Sequence, residues 1–240
     1  MSGHSKWANI KHRKQAQDAK KAKIFSSLSK EIILAAKNGG DPEINFQLKM
    51  AIDKAGKYNM PKDNIDKAVK RGTGELKDAN KIEEYIFEAY GPGQIAMLIK
   101  TASDNKNRTL GEVRNILTKN GGKMVEEGSV RWQFKLMGVI FISPNSAIKD
   151  DEMEEIIIES EAEDFEKQDS QNYCIFTQPQ DTQSVADNLK QNNLGVEEIK
   201  LSYLPENTTE ADKNTRESYE NLLEKLYEQE DVVEIFDNLD

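Results

Sequence analysis

Seven cations lie between Ser2 and Lys23 (Lys6, Lys11, Arg13, Lys14, Lys20, Lys21 and Lys23), with Asp18 as the only acid. Interleaved with them are His4, Trp7 and His12. Ammonium and guanidinium groups at that density neutralise phosphates, and an indole among them can stack on a base or ribose. The plain alternative is a solvated basic tail that binds nothing specific. Covalent chemistry has less to work with. Both histidines of the chain sit in this stretch, and Cys174 is its one cysteine. A Ser–His–Asp or Cys–His machine would have to recruit one of those two histidines, and a zinc site both of them with distant carboxylates. A lone cysteine excludes an internal disulfide framework and a thiolate-based zinc site. The residues therefore point to a protein that binds rather than one that does covalent chemistry. No apolar core precedes Ile24, so the segment is expected to order on its target.

Two further cation groups are candidates for the same work. Lys67, Lys70 and Arg71 fall near the end of an expected helix, where cations also favour the helix dipole without any ligand. Lys106 and Arg108 begin another expected helix and run against its dipole, which points to a phosphate contact. Residues 150–166 hold ten acids and no base and cannot face phosphate. They read as the solvated face of a helix, with docking of a basic protein partner as the sharper alternative. A carboxylate metal site there lacks the spacing of an EF-hand loop.

The charge is segregated along the chain. Over 240 residues the net charge is −10, yet residues 1–77 carry +9 and the remainder −19. That asymmetry suggests a basic module for a polyanion attached to an acidic body. Only Arg13 and Arg71 are arginines in the basic part. Bidentate reading of guanine would be sparse, and lysine-dominated contact favours the phosphate backbone over base edges. No helix-turn-helix with base-reading side chains is recognisable. Apolar runs such as Ile32 to Ala36 and Val139 to Ile142 are too short for a membrane span or a signal-peptide core, and a cytoplasmic protein is expected.

The elements that must position these residues follow from periodicity. Ile24, Leu28, Ile32 and Ala35 predict a first helix, stopped by Asn38-Gly39-Gly40. Asp41-Pro42 predicts the start of a second, with Ile44, Leu48, Ala51, Ile52 and Ala55 inward. Pro61 opens a third, closed by Gly72-Thr73-Gly74, which reads as a joint to the acidic body. Strands are predicted at 83–90 and 94–101 around a Gly91-Pro92-Gly93 turn, then a helix at 105–120 and a strand at 130–134. The order β-α-β-β-α-β follows from residue 138 to 204, then a helix from 215 and a strand from 232. The expected fold class is α+β: an N-terminal helical domain followed by two ferredoxin-like α/β sandwich domains, one inserted in the other. The expected boundaries are 1–77 for the basic three-helix domain, 78–134 plus 206–240 for the discontinuous domain, and 135–205 for the acidic insert.

The opening, Met1-Ser2-Gly3-His4-Ser5-Lys6-Trp7-Ala8-Asn9-Ile10-Lys11-His12-Arg13-Lys14, resembles the start of the YebC/PmpR family. Further blocks carry the same likeness: Glu88-Ala89-Tyr90-Gly91-Pro92-Gly93, Asp104-Asn105-Lys106-Asn107-Arg108-Thr109, and Gly128-Ser129-Val130 with Trp132 and Phe134. The resemblance runs to Asn238-Leu239-Asp240 and departs from the pattern at Gln94, where another Gly is expected, and at Arg131, where a small residue is usual. It implies three domains and cytosolic regulators of transcription that bind promoter DNA, with no catalytic residues and no cofactor. Relatives, including mitochondrial translational activators, are implied to act on the ribosome, assisting synthesis through proline-rich stretches. DNA or RNA is thus the expected partner, and no membrane.

Overall fold

The computed structural model describes residues 21–76, 80–143, 148, 150–167 and 172–240, without the side chains of residues 21–23 and 150. Contacts divide the chain into two compact units. One holds Phe134–Leu204; the other holds the described residues before Phe134 and Pro205–Asp240.

The larger unit begins with three helices, α1 (Lys21–Ala36), α2 (Phe46–Lys57) and α3 (Lys62–Gly72). The second helix starts later than Asp41-Pro42 suggests. Asp41 instead caps a single turn, its side chain accepting from the Glu43 amide at 2.9 Å. The helix proper is capped by Asn45, whose side chain accepts from the Leu48 amide at 3.1 Å. Its amide nitrogen donates to the Ala35 and Gly39 carbonyls at 2.8 and 2.7 Å, tying the end of α1 to the start of α2. Ile44 therefore lies on the turn, 86% exposed, and not on the apolar face.

Three helices of this size bury too little by themselves. Their missing core comes from a sheet: Leu28, Ile32, Leu48, Ala55 and Ala68 pack with Ile82, Ala102 and Val233. The sheet runs β3 (Lys123–Met124), β1 (Glu83–Tyr90), β2 (Ala96–Ser103), β8 (Val232–Asp237), with every described pairing antiparallel. Its other face is covered by α4 (Lys106–Lys119) and by a C-terminal helix at Lys213–Tyr227, through Val113, Leu117, Tyr219, Leu222 and Leu226. A strand covered on both faces loses its apolar–polar alternation. Neighbours Val232 and Val233 accordingly enter different cores.

Gly72 is not a joint. It ends α3 where an added Cβ would lie 2.5 Å from the Ile33 carbonyl oxygen and 2.6 Å from the Ala36 side chain. The glycine lets α3 press against α1. The expected strand at 130–134 is also corrected: residues Arg131–Gln133 form a 3-10 turn, and the pairing strand is the short β3.

Phe134–Leu204 holds β4 (Phe134–Ser143), α5 (Asp150–Glu159), β5 (Asp164–Lys167), β6 (Tyr173–Thr177), α6 (Thr182–Gln191) and β7 (Gly195–Pro205). The strand order is β5-β6-β4-β7. Here too the central strands are buried on both faces, and successive residues alternate between two clusters. Ile140, Ile142 and Ile175 meet Met153, Ile157, Val185 and Leu189 of the helices, while Val139, Phe141, Cys174 and Phe176 form a second cluster. The C-terminal helix Lys213–Tyr227, numbered α7, leads from here into β8. The fold class is α+β as expected: N-terminal helices, then two antiparallel sheets carrying helices.

Candidate nucleic-acid interface

Lys6, Trp7, Lys11, His12, Arg13, Lys14 and Lys20 lie outside the described residues, as do the side chains of Lys21 and Lys23 in the first turn of α1. The structure places the remaining five candidates in the larger unit. Lys67 and Lys70 are exposed on α3. Arg71, one residue on, is half-buried and donates from Nη2 to the Asn80 carbonyl at 3.2 Å. Lys106 is exposed at the start of α4, its Nζ 5.4 Å from the centre of the Tyr85 ring.

Arg108 is held. Its Nη2 donates to Asp231 Oδ2 at 2.9 Å and to the Ser103 hydroxyl at 3.2 Å, and lies 3.1 Å from Asp104 Oδ1. A cation against the helix dipole therefore does have a structural role, because acids outside the helix outweigh the dipole. The Asp231 hydrogen bond raises the guanidinium pKa above its ordinary value.

Asp231 is the centre of this arrangement and carried no signal in the sequence beyond being one acid among many in an acidic tail. Its Oδ1 accepts from Lys30 Nζ at 2.7 Å, and its Oδ2 also accepts from the Thr109 hydroxyl at 2.7 Å and the Ser103 hydroxyl at 3.0 Å. Burial opposes ionisation of this carboxyl. Hydrogen bonds from Lys30, Thr109 and Arg108 outweigh it and hold the pKa well below the usual carboxylate range. Asn80 extends the chain in the other direction, its amide donating to Asp104 Oδ2 at 3.0 Å. Arg71, Asn80, Asp104, Arg108, Asp231 and Lys30 thus form one continuous polar chain. It joins the end of α3, the start of α4 and the middle of α1. Two cation groups that the sequence separates by 35 positions are parts of one built surface.

A second acid missed in the sequence is Glu88. Buried in β1, it accepts from the backbone amides of Gly128, Val130 and Arg131 at 2.7, 2.6 and 3.0 Å. The loop it pins carries Trp132, 68% exposed, with its indole N–H on the Ser129 carbonyl at 3.1 Å.

Among the described residues, no cluster of three or more His, Cys, Asp or Glu is arranged to hold a metal ion. Nor is any helix among them long and apolar enough to cross a membrane.

The fold defines a class first: an α+β protein whose N-terminal helices pack on the β3-β1-β2-β8 sheet, with a second antiparallel sheet in the other unit. Residues 5–75 match the family described as the TACO1/YebC protein N-terminal domain, and residues 82–239 match the TACO1/YebC second and third domain. The chain belongs to the TACO1/YebC family. It is 44% identical over its whole length to a protein of Caldanaerobacter subterraneus subsp. tengcongensis named a probable transcriptional regulatory protein, covering 98% of that relative. A protein of Natranaerobius thermophilus with the same name is 46% identical, again over the whole chain and 96% of the relative. The crystal structure of a conserved hypothetical protein from Aquifex aeolicus superposes with a TM-score of 0.84 at 37% identity, covering 98% of this chain and 97% of that one.

Proposed function

We propose that this protein is a DNA-binding regulator of transcription, held to the phosphate backbone chiefly by the lysines of residues 1–77. The observation that carries the reading is the charge segregation, +9 in those residues against −19 in the rest. Lys67 and Lys70, exposed on α3, fit the same surface. The relatives' name supports regulation of transcription. The reading includes no catalytic step and no cofactor, and it places the protein in the cytoplasm.

A second reading has its own support. With only two arginines in the basic part, base-edge recognition is sparse, which suits RNA or shape recognition and a role on the ribosome.

The helical part shares its core with the sheet, so the test uses the full chain. Fluorescence anisotropy on a labelled DNA duplex and on a structured RNA, each across a salt series, is expected to give a steep loss of affinity with salt. Replacing Lys6, Lys11 and Lys14 by Gln should weaken binding and flatten that dependence. Affinity that ignores salt refutes backbone binding. Crosslinking in cells, sorting bound material into promoter DNA and ribosomal RNA, separates the two readings.

A further inference from the structure

Helix α4 breaks two local rules, and only the first is partly compensated inside the folded chain. Its first turn carries Lys106 and Arg108 and no acid, against the helix dipole. Arg108 finds its compensation in Asp231, whereas Lys106 lies over the Tyr85 ring and forms no ion pair among the described residues. Gly111 stands in the helix interior, exposed, where a Cβ would meet nothing within 4 Å. Glycine is the least favourable helix-interior residue after proline, and no close packing within this unit requires it here. Rule-breaking of this kind, uncompensated in the fold, marks positions held for function.

The residues around Gly111 say what that function is. Asn107, Gly111, Arg114, Asn115 and Thr118 recur at helical spacing and share one exposed face, with Lys119 at its C-terminal edge. Lys106, Arg114 and Lys119 form no ion pair among the described residues, whereas Lys30, Lys54, Lys100 and Arg108 all do. Residues 78–240 hold 35 acids against 16 bases, so acids to neutralise them are plentiful. The one acid of the helix, Glu112, is engaged by Gln229 Nε2 at 2.8 Å. What remains is a strip of cations, amides and hydroxyls about 20 Å long, open at its middle and flanked by Glu112 at one edge.

We infer that this face of α4 is a second binding surface, for the phosphodiester backbone of a nucleic-acid duplex. Charge complementarity selects the polyanion. The helix contains no aromatic residue, so it offers unpaired bases no platform to stack on, and a paired strand presenting only its backbone is the occupant it suits. Gly111 lets that backbone approach the helix between the flanking side chains. The inference rests on the reading of the protein as a nucleic-acid binder and adds a contact on the α/β body to the basic N-terminal part.

The test compares full-length variants on a fluorescein-labelled DNA duplex, an RNA duplex and a single-stranded RNA. Arg114→Gln with Lys119→Gln should weaken duplex binding roughly tenfold irrespective of sequence and lower the salt slope by about 2, one for each lost phosphate contact. Gly111→Gln should raise the melting temperature, because Gln is the better helix former, while weakening duplex binding. That opposite movement is what a merely structural role cannot produce. Variants that bind like the parent overturn the inference and leave the N-terminal reading standing. Dependence on Arg114 for the single strand alone overturns the duplex as occupant. A parent protein that binds none of the three probes overturns both.

Discussion

The carboxylate of Glu88 accepts the backbone N–H of Val130 at 2.6 Å, and so joins two sequence blocks that lie 42 positions apart. A buried strand acid satisfies a loop that has no regular hydrogen-bonding partner of its own. Gly128, Val130 and Arg131 all depend on it. Glu88→Ala should destabilise the protein by roughly 2–4 kcal/mol, since charge-assisted hydrogen bonds contribute about 1.5–3 kcal/mol each and do not add fully. Glu88→Gln should do nearly as badly, because its amide group turns a donor toward a cluster of donors. Urea unfolding measures the loss, and amide exchange at Val130 and Arg131 should accelerate in step. Unchanged exchange at both sites would show that the loop is held by something else.

Asp231 gives the acid limb of stability a specific origin. Its pKa is lower folded than unfolded, so it contributes stability that is fully present above its unfolded value of about 3.9 and fades as pH falls through the folded one. Below about pH 4 the parent protein should lose stability steadily, while Asp231→Asn should show a flatter acid limb from a lower plateau. The plateau should drop on the order of 3 kcal/mol, because Lys30 and Arg108 lose their common partner. Denaturant midpoints measured from about pH 6 to about pH 3 give both quantities. Parallel curves for the two proteins would assign the acid sensitivity to other carboxylates.

Most of the elements were legible in the sequence because their signals are local. Strand Glu83–Tyr90 has the bounds its residues predict. The errors have a common cause. Asp41 and Pro42 look like a helix start, and they do begin a turn, but Asn45 wins the cap because its amide also reaches Ala35 at the end of α1 and Gly39 just beyond it. Val130 to Phe134 has strand-like composition, yet Glu88 draws its amides away from any ladder. The Arg71 and Arg108 groups read as two sites because Asn80 and Asp104, which connect them, carry no pattern until the chain folds. Pairings between distant polar residues leave no periodicity to find.

Gly72 and Gly74 should separate under substitution, although both close the same helix. Gly72→Ala forces a methyl to within 2.5 Å of the Ile33 carbonyl oxygen. Overpacking of that kind costs typically 1–3 kcal/mol, and each kcal/mol lowers the melting temperature of a chain this size by about 2–4 °C. Gly74→Ala meets open space and suffers only from its φ of 80°, at about 1 kcal/mol. Calorimetry of the two variants should therefore rank Gly72→Ala as the worse. The reverse ranking would restore Gly72 as a free joint between helices and sheet.

Gln94 offers a gain where its neighbour offers only loss. The turn between β1 and β2 holds Gly93 at φ 70° and Gln94 at φ 60°, so a left-handed backbone is required at two successive residues, the second of which carries a Cβ. At Gly93 no side chain is admissible, since an added Cβ would strike Thr215 of α7 at 2.4 Å. At Gln94 the strain is conformational alone, about 1 kcal/mol for an ordinary residue. Gln94→Gly removes it and gives back part through the freedom glycine adds to the unfolded chain. The net expectation is a gain of a few tenths up to about 1 kcal/mol, with Gln94→Asn close behind because Asn tolerates this region. Gln94→Val should be the least stable of the set, its branched Cβ being the poorest fit to positive φ. Equal stability for Val and Gly at this position would mean that the turn does not impose its backbone on residue 94, and the reason a glycine is favoured there would have to be sought in what the turn touches.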